Sequence, residues 1–492
     1  MSYIASFDIG TTSIKGILLK KDGSLIGKAS YDLNTIHGSN GEIEQNPKDW
    51  WNGIVTITNK WWEEDVISPS DIAMITFSGQ MQDVIPIADE DQQRNAILYS
   101  DSRANVEADF INKQIPNSKV IIANHIDGAS PFAKLLWLKK RDEETYNRSF
   151  SFIFSAKDYI IYRLTNRVAT DPVTGATTGM MNLKTKDWQS DWLVTNDLSI
   201  EKLPPILFPD EQVGVVTSEA AKQTGFLEGI PVLCGCGDAG ATTMGAGAIQ
   251  EGDGYIYLGT TGWIAVPSNQ VKELDFGIFN LAHLPKDRYI SIAPLLNVGN
   301  VHTWGVQTLT EKEENRYQAF EALASSAPVG AAGLLFLPYI HGERFPVNDS
   351  NATGVYFGIT PSTNREHMAR ALIEGLCFSF RQTFEILIQN KREAITLIGG
   401  GTQSPTWCQV LASILGTTIR IPRNSEYLPA IGAAASAFVN LKWVESYEDF
   451  ADEVLFSEKD EIYRPILEDT KVYDEIYNKF LKLYPAIKQI SQ

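Results

Sequence analysis

Two stretches of this chain carry one pattern: a β-rich run, a Gly-Thr-Thr turn, and a second β-rich run. YIASFDI, GTT and SIKGILL follow one another at residues 3–19, and YIYL, GTT and GWIAVPS do so at 255–268. A repeat at this distance predicts an internal duplication, with two related halves. Length agrees, because 492 residues exceed what one hydrophobic core sustains. The join falls near 245–255, in the small-residue stretch GAGAIQEGDG, which ends in turn chemistry. The expected domains are 1–245 and 246–492.

Local patterns place α/β structure in both halves. The opening segment reads as three antiparallel strands, with Lys21-Asp22-Gly23 as a hairpin turn. PKDWWNGIVTITNKWW, at 47–62, spaces Trp and Ile at helical intervals behind Pro47. IAMITFSG, at 72–79, is an apolar strand that ends in a glycine turn. The second half offers a long helix at 365–389 and another apolar strand, AITLIGGGT, that runs into glycines.

Charge narrows the function classes. Sixty acidic side chains oppose 42 basic ones, a net −18. That argues against nucleic acid as the main partner but leaves room for a local nucleotide site. The four cysteines, Cys234, Cys236, Cys377 and Cys408, form no C-x-x-C pair and have no histidine at metal spacing, so they read as reduced, buried thiols. The start, MSYIASFDIGTTSIKG, lacks the basic-then-apolar order of a signal peptide, and no long uncharged apolar run predicts a membrane span. A cytoplasmic protein is expected.

No G-x-x-x-x-G-K-[ST] motif is present. A triphosphate would need another cradle, and two Gly-Thr-Thr turns on facing lobes can supply one through backbone N–H groups and hydroxyls. Asp8, just before the first turn, would repel a phosphate unless a cation lay between them. It is therefore the candidate Mg²⁺ residue, acting through waters. Its alternative is a carboxylate folded onto its own turn. In IPVLCGCGDAGATTMGAGA a strand enters a glycine turn and a small-residue helix starts at Asp238. A carboxylate there can take the proton of a hydroxyl that attacks a γ-phosphate; its alternative is a helix cap. The same stretch matches G-x-G-x-x-G, which raises a dinucleotide-binding dehydrogenase. Against that, the match lies mid-chain, an Asp sits inside the turn, and no acidic strand end follows. Gly399-Gly400-Gly401 allows a ring or ribose to lie on bare backbone, with Thr402, Gln403 and Ser404 beside it, or is a strand-to-helix turn without a ligand.

Assembled in order, these segments resemble the FGGY family of carbohydrate kinases. The resemblance spans nearly the whole chain: DIGTTSIKG (8–16), SGQMQD (78–83), YSDSRA (99–104), PFAKLLWL (131–138), GCGDAGA around Asp238, YLGTTGW (257–263), GLLFLPYIHGERFP (333–346), GVYFGITPSTNREHMARALIE (354–374) and GGGTQSPTWCQVLA (399–412). It implies an actin-like fold of two ribonuclease-H-like domains around a cleft, Asp238 as general base and Mg-ATP as phosphate donor. By motif, Thr11, Thr12 and Lys15 would join Asp8 near the phosphates and metal, and Thr260 and Thr261 would close on them from the other domain. Gly299, Gly400, Gly401 and Gln403 would line the adenosine site. Gln80, Met81, Gln82, Asp101 and Arg103 would meet the sugar. A homodimer is what the family suggests.

One departure bears on the substrate. Relatives that phosphorylate D-xylulose usually carry Gln-Met-His where this chain has Gln80-Met81-Gln82, and Asp83 stands where a small residue is more usual. Glutamine hydrogen-bonds but carries no charge. D-xylulose is the expected substrate, with another ketose or polyol, or gluconate, as alternatives. A gluconate site should hold a cation for the carboxylate; this loop has none, so Arg103 or a residue elsewhere would have to supply it. A non-enzymatic ATP-binding regulator of the same fold is the remaining alternative.

Overall fold

The computed structural model describes residues 2–39, 41–89, 93–272, 277–388, 393–455 and 460–491. It contains two large mixed sheets, built alike. The first runs in the order Gln212–Val215, Pro231–Leu233, Ile72–Gly79, Tyr3–Ile9, Ser13–Leu19, Leu25–Asp32, and Cys236–Gly237 also pairs with Ile72–Gly79. The second runs Glu461–Tyr463, Thr418–Ile421, Ala394–Ile398, Tyr255–Leu258, Gly262–Ser268, Tyr289–Leu295, Phe279–Ala282.

Six consecutive strands of the two orders correspond, and Phe279–Ala282 extends the second sheet beyond them. In each, the Gly-Thr-Thr turn joins an antiparallel hairpin, Tyr3–Ile9 with Ser13–Leu19 and Tyr255–Leu258 with Gly262–Ser268. In each, the first hairpin strand pairs in parallel with an apolar strand that ends at glycine, Ile72–Gly79 or Ala394–Ile398. Parallel neighbours need a crossover, and helices supply it. Pro47–Glu63 starts behind Asn46, whose side chain accepts from Lys48 N–H, and it buries Trp50, Trp51, Ile54, Ile57 and Trp61 on one face. The duplication expected from the paired turns is therefore present in the backbone, and the fold is two α/β domains of the actin-like kind. The long helix of the second half runs Arg365–Leu387; Gln389, its expected end, lies outside the described residues.

Two small-residue helices fasten the halves together. Asp238–Gly245, at the end of the first half, packs against Leu428–Asn440 of the second. Their backbones nearly touch: a Cβ on Gly432 would stand 1.9 Å from the Ala241 carbonyl oxygen, and one on Gly245 2.3 Å from that of Leu428. Leu428–Asn440 also lies on the first sheet, where Ser6 Oγ donates to Ala430 O (2.6 Å) and Thr76 Oγ1 to Ala433 O (3.3 Å). One hydrophobic cluster consequently holds side chains of both halves, among them Ile4, Met74, Met244, Ile398 and Phe438.

A third, five-stranded sheet was not legible in the sequence. It joins Ile36–His37, Ile43–Gln45, Ala96–Ile97, Met81–Ile87 and Ser151–Ser155. Met81 and Gln82 open a strand in it. All four cysteines are free and buried, as expected. Among the described residues no helix is long and apolar enough to cross a membrane.

Candidate active site

The chain approaches Asp238 through an interrupted strand. Pro231–Leu233 breaks, Gly235 turns through a left-handed backbone (φ +61°), and Cys236–Gly237 resumes against Ser78 and Gly79. A Cβ on Gly235 would lie 2.1 Å from Phe77 O, so glycine is required there. The helix begins at once. Gly237 is its N-cap and Asp238 its first residue, so the carboxylate stands one position inside the cap, where the N–H groups of Ala239 and of Asp238 itself act to lower its pKa.

Asp8 stands two strands away in the same layer. It pairs across the hairpin with Lys15 and in parallel with Ser78, whose Oγ donates to Asp8 Oδ1 at 2.8 Å. It is a strand residue facing the site and not a turn former. Burial raises its carboxyl, against the opposing pull of the Ser78 bond and of Lys15. Asp238 is pushed up to about 7, by burial first and then by the charge of Asp8, with a smaller push from Asp171, against the pull of the Ala239 N–H. Burial likewise pushes Tyr255, in the second lobe's hairpin, up to about 12, with a smaller contribution from Asp238's charge. Asp238 thus sits at the seam, within electrostatic reach of both hairpins.

Gln80 sits in a hydrogen-bond hub, with Met81 and Gln82 beside it. Gln80 is buried; its Nε2 donates to Gln45 Oε1 (2.9 Å), which also accepts from Trp50 Nε1, and its Oε1 accepts from Thr11 Oγ1 (3.0 Å). Gln80 therefore braces the first turn. Met81 lies against Gly237, where a Cβ would collide with its sulfur. Gln82 is half-buried with a left-handed backbone (φ +65°), an unusual state for a side-chain-bearing residue. Its carbonyl accepts from Lys134 Nζ (3.3 Å), a fully buried ammonium that also donates to Leu98 O (2.7 Å). Burial pulls Lys134 below the usual lysine range, while Asp83, also buried, is raised.

Asp101 and Arg103 hold each other. Arg103 Nε and Nη2 reach both Asp101 oxygens, Nη2 also reaches Glu44 (2.8 Å), and the guanidinium lies 5.1 Å from the centre of the Trp137 ring. Burial acts to raise Asp101, yet Arg103 and the Ile43 N–H hold it below the ordinary carboxylate range.

Across the seam is a cavity of about 750 Å³, lined by Thr260, Gly299, Gly400, Gly401 and Gln403 together with His302 and others. The second turn is locked to the following helix: Gly299 N–H donates to Gly259 O (2.9 Å) and Asn300 N–H to Thr260 O (2.9 Å). Gly399 has φ +98°, and a Cβ there would lie 2.4 Å from Leu258 O. Burial keeps His302 neutral, with its pKa lowered to about 4, among Tyr317, Phe320 and Trp407. Glu321 accepts from Ser404 Oγ and Thr406 N–H, fixing the start of helix Pro405–Leu415. His302 and Glu321 were not signalled by the sequence, since neither lies in a glycine motif. Gly399→Ala is expected to raise the KM for ATP about tenfold or more, through backbone strain beside the cavity, with the sugar KM little changed; initial rates over an ATP series check this.

The remaining expected residues stand apart from that cavity. Thr11 and Thr12 form the first turn, with Thr12 exposed and its carbonyl accepting from Leu33 N–H. Thr261 is not among the cavity's lining residues; its carbonyl closes its own turn onto Gly259 N–H. Lys15 Nζ reaches across to Glu426 O (2.8 Å) in the second half. Among the described residues no group of three or more His, Cys, Asp or Glu converges on a metal position.

Known proteins share this architecture. "FGGY family of carbohydrate kinases, N-terminal domain" matches residues 3–245, and the corresponding C-terminal domain matches 254–441. A xylulose kinase of Bacillus subtilis (strain 168) is 29% identical, over 100% of this chain and 98% of its own. A ligand-bound xylulose kinase from Lactobacillus acidophilus superposes with a TM-score of 0.87 at 28% identity, covering 99% of both chains. A gluconate kinase from Lactobacillus acidophilus does so equally, with TM-score 0.87, 28% identity and coverage of 99% and 98%. Two lobes of one topology, a raised carboxyl at their seam and family matches over both halves lead to one statement: the chain belongs to the FGGY family of carbohydrate kinases and is a sugar kinase.

Proposed function

We propose that this kinase transfers the γ-phosphoryl group of Mg-ATP to a hydroxyl of a neutral ketose, D-xylulose, with Asp238 as general base. The observation that carries the reading is the placement of a buried carboxylate at the first residue of a helix on the lobe seam, within electrostatic reach of Asp8 and of the second hairpin. Asp238 accepts the hydroxyl proton as the sugar oxygen bonds to phosphorus. The bond from phosphorus to the β,γ-bridging oxygen breaks, and ADP leaves with that electron pair.

The chain's own groups fit the donor. Asp8 and Asp238 repel one another without a cation between them, which suits Mg²⁺ held by Asp8 through waters; the ion would neutralise charge on the phosphates. Backbone N–H groups and hydroxyls of the two turns, with Thr11, Thr12, Thr260 and Thr261, would meet the phosphates. Lys15, tied to Glu426 O, joins the lobes beside them. Gly299, Gly400, Gly401 and Gln403 would take the adenosine.

Charge at the sugar end favours a neutral substrate. Glu44, Asp83 and Asp101 lie near Gln80–Gln82, while Arg103 is shared between two carboxylates and Lys134 is spent on backbone carbonyls. An aldonate carboxylate would meet uncharged Gln82 and no unshared cation among these residues. In an ADP-release assay over a sugar panel, D-xylulose is expected to exceed gluconate in kcat/KM by about tenfold or more, a difference of ~1.4 kcal/mol in transition-state binding. Preference for gluconate would contradict the neutral-sugar assignment. The kcat/KM for sugar is also expected to rise with pH up to about 7 and then level off, because Asp238 must lose its proton to act.

A further inference from the structure

Beneath Asp238 lies a buried charge cluster that the reaction scheme does not use. Lys157, Asp158 and Asp171 are each fully buried. Lys157 Nζ stands 2.6 Å from Asp158 and 2.9 Å from Asp171, and it donates to Cys234 O at 3.1 Å. Asp171 Oδ1 accepts from Gly237 N–H (3.3 Å) and from Val173 and Thr174 N–H, while Oδ2 accepts from Thr174 Oγ1 (2.6 Å). Asp158 also accepts from Thr170 Oγ1 (2.9 Å).

These contacts bracket one short piece of backbone. The Cys234 carbonyl precedes the left-handed Gly235, and the Gly237 N–H follows it, immediately before Asp238. Lys157 holds the first and Asp171 the second, and the ion pair ties the two holds together. Irregularities of this kind aim a side chain at a site. A buried ion pair is a poor source of stability for its desolvation cost, so a role in fixing geometry is the better account of this one. Local displacements near 1 Å are enough to slow a positioned reaction greatly.

We propose that Asp171, anchored by Lys157, is a positioning residue for the general base: it clamps the Gly235 bulge so that the Asp238 carboxylate points at the reacting hydroxyl. The inference rests on Asp238 acting as the base. Asp171 is fully buried behind that segment, so its loss is expected to affect the chemical step and not substrate capture.

The test is a double-mutant cycle on the full chain, with D-xylulose and Mg-ATP. Asp171→Asn keeps an oxygen for the Gly237 N–H but sets an amide against Lys157 and Thr174. The expected result is a kcat lowered about tenfold or more, with both KM values within about twofold of wild type. In an Asp238→Asn background the same change should lower kcat no further, because its effect passes through Asp238. Should Asp171→Asn fail to fold, Thr174→Val, which removes only the hydroxyl donor to Oδ2, should give the same signature at about threefold to fivefold. An unchanged kcat, a fall in kcat matched by rises in both KM values, or a full additional loss in the Asp238→Asn background overturns the positioning role. If Asp238→Asn alone leaves turnover intact, the base assignment itself falls, which the cycle reports separately.

Discussion

Asp238→Asn is expected to lower kcat by ~10² or more while leaving the sugar and ATP affinities close to wild type. The substitution preserves shape and removes the group that accepts the proton. Stability should move the other way. Burial and Asp8 raise the Asp238 carboxyl from the ordinary carboxylate range to about 7. The folded chain therefore binds this proton more tightly than the unfolded chain does. The stability that it contributes is full below about pH 4 and is lost as pH rises through about 7. At pH 8 wild type carries the whole burden of an ionised, crowded carboxylate, and the amide carries none. Asp238→Asn without ligands should thus melt no lower than wild type at pH 8, with the difference shrinking toward pH 5. Thermal melts across that range, run beside the kinetics, separate a chemical role from a structural one. A variant that is both inactive and unfolded would speak for structure alone.

Gly432→Val is expected to abolish most activity from a position outside the site. A Cβ on Gly432 falls 1.9 Å from Ala241 O and 2.7 Å from Gly245 N. Both atoms are backbone, so no rotamer change relieves the clash; the helices must move apart. One of them starts with Asp238, and the other lies on the sheet that carries Asp8. Overpacking of this kind costs about 1–3 kcal/mol, and the shift displaces Asp238 from Asp8. A loss of kcat of about tenfold or more with a lowered melting temperature is the expected outcome. Gly400→Ala serves as the comparison, since no atom lies within 4 Å of a Cβ there, and it should leave the melting temperature near wild type.

The residues that were legible in the sequence are those whose chemistry is local. The two Gly-Thr-Thr hairpins, the glycine-ended strands and the helix start at Asp238 each follow from short-range turn and periodicity rules, and the paired hairpins disclosed the duplication. What escaped is what the fold assembles from far apart. Gln45, Trp50, Gln80 and Thr11 form one hub from three separate segments, and nothing in any one segment marks it. Asp171 reads as an ordinary helix cap before Pro172, and Lys157 as one more lysine, until Cys234 and Gly237 arrive between them. The Met81–Ile87 strand carries no clear signal in the sequence, because both of its faces are largely covered, which removes the alternation that marks a half-buried strand. Lys15 was placed with the phosphates by its motif, and its reach to Glu426 depends on the second half, which no local rule supplies.

Phosphorus NMR of the wild-type chain with Mg-ATP and D-xylulose tests the central claim most directly. A sugar phosphomonoester signal should grow in step with ADP, and neither should appear when the sugar is omitted or Asp238 is asparagine. ADP that accumulates at the same rate without sugar, or ATP that stays intact in the presence of every neutral ketose tried, would contradict a base at the lobe seam directing phosphate onto a sugar hydroxyl.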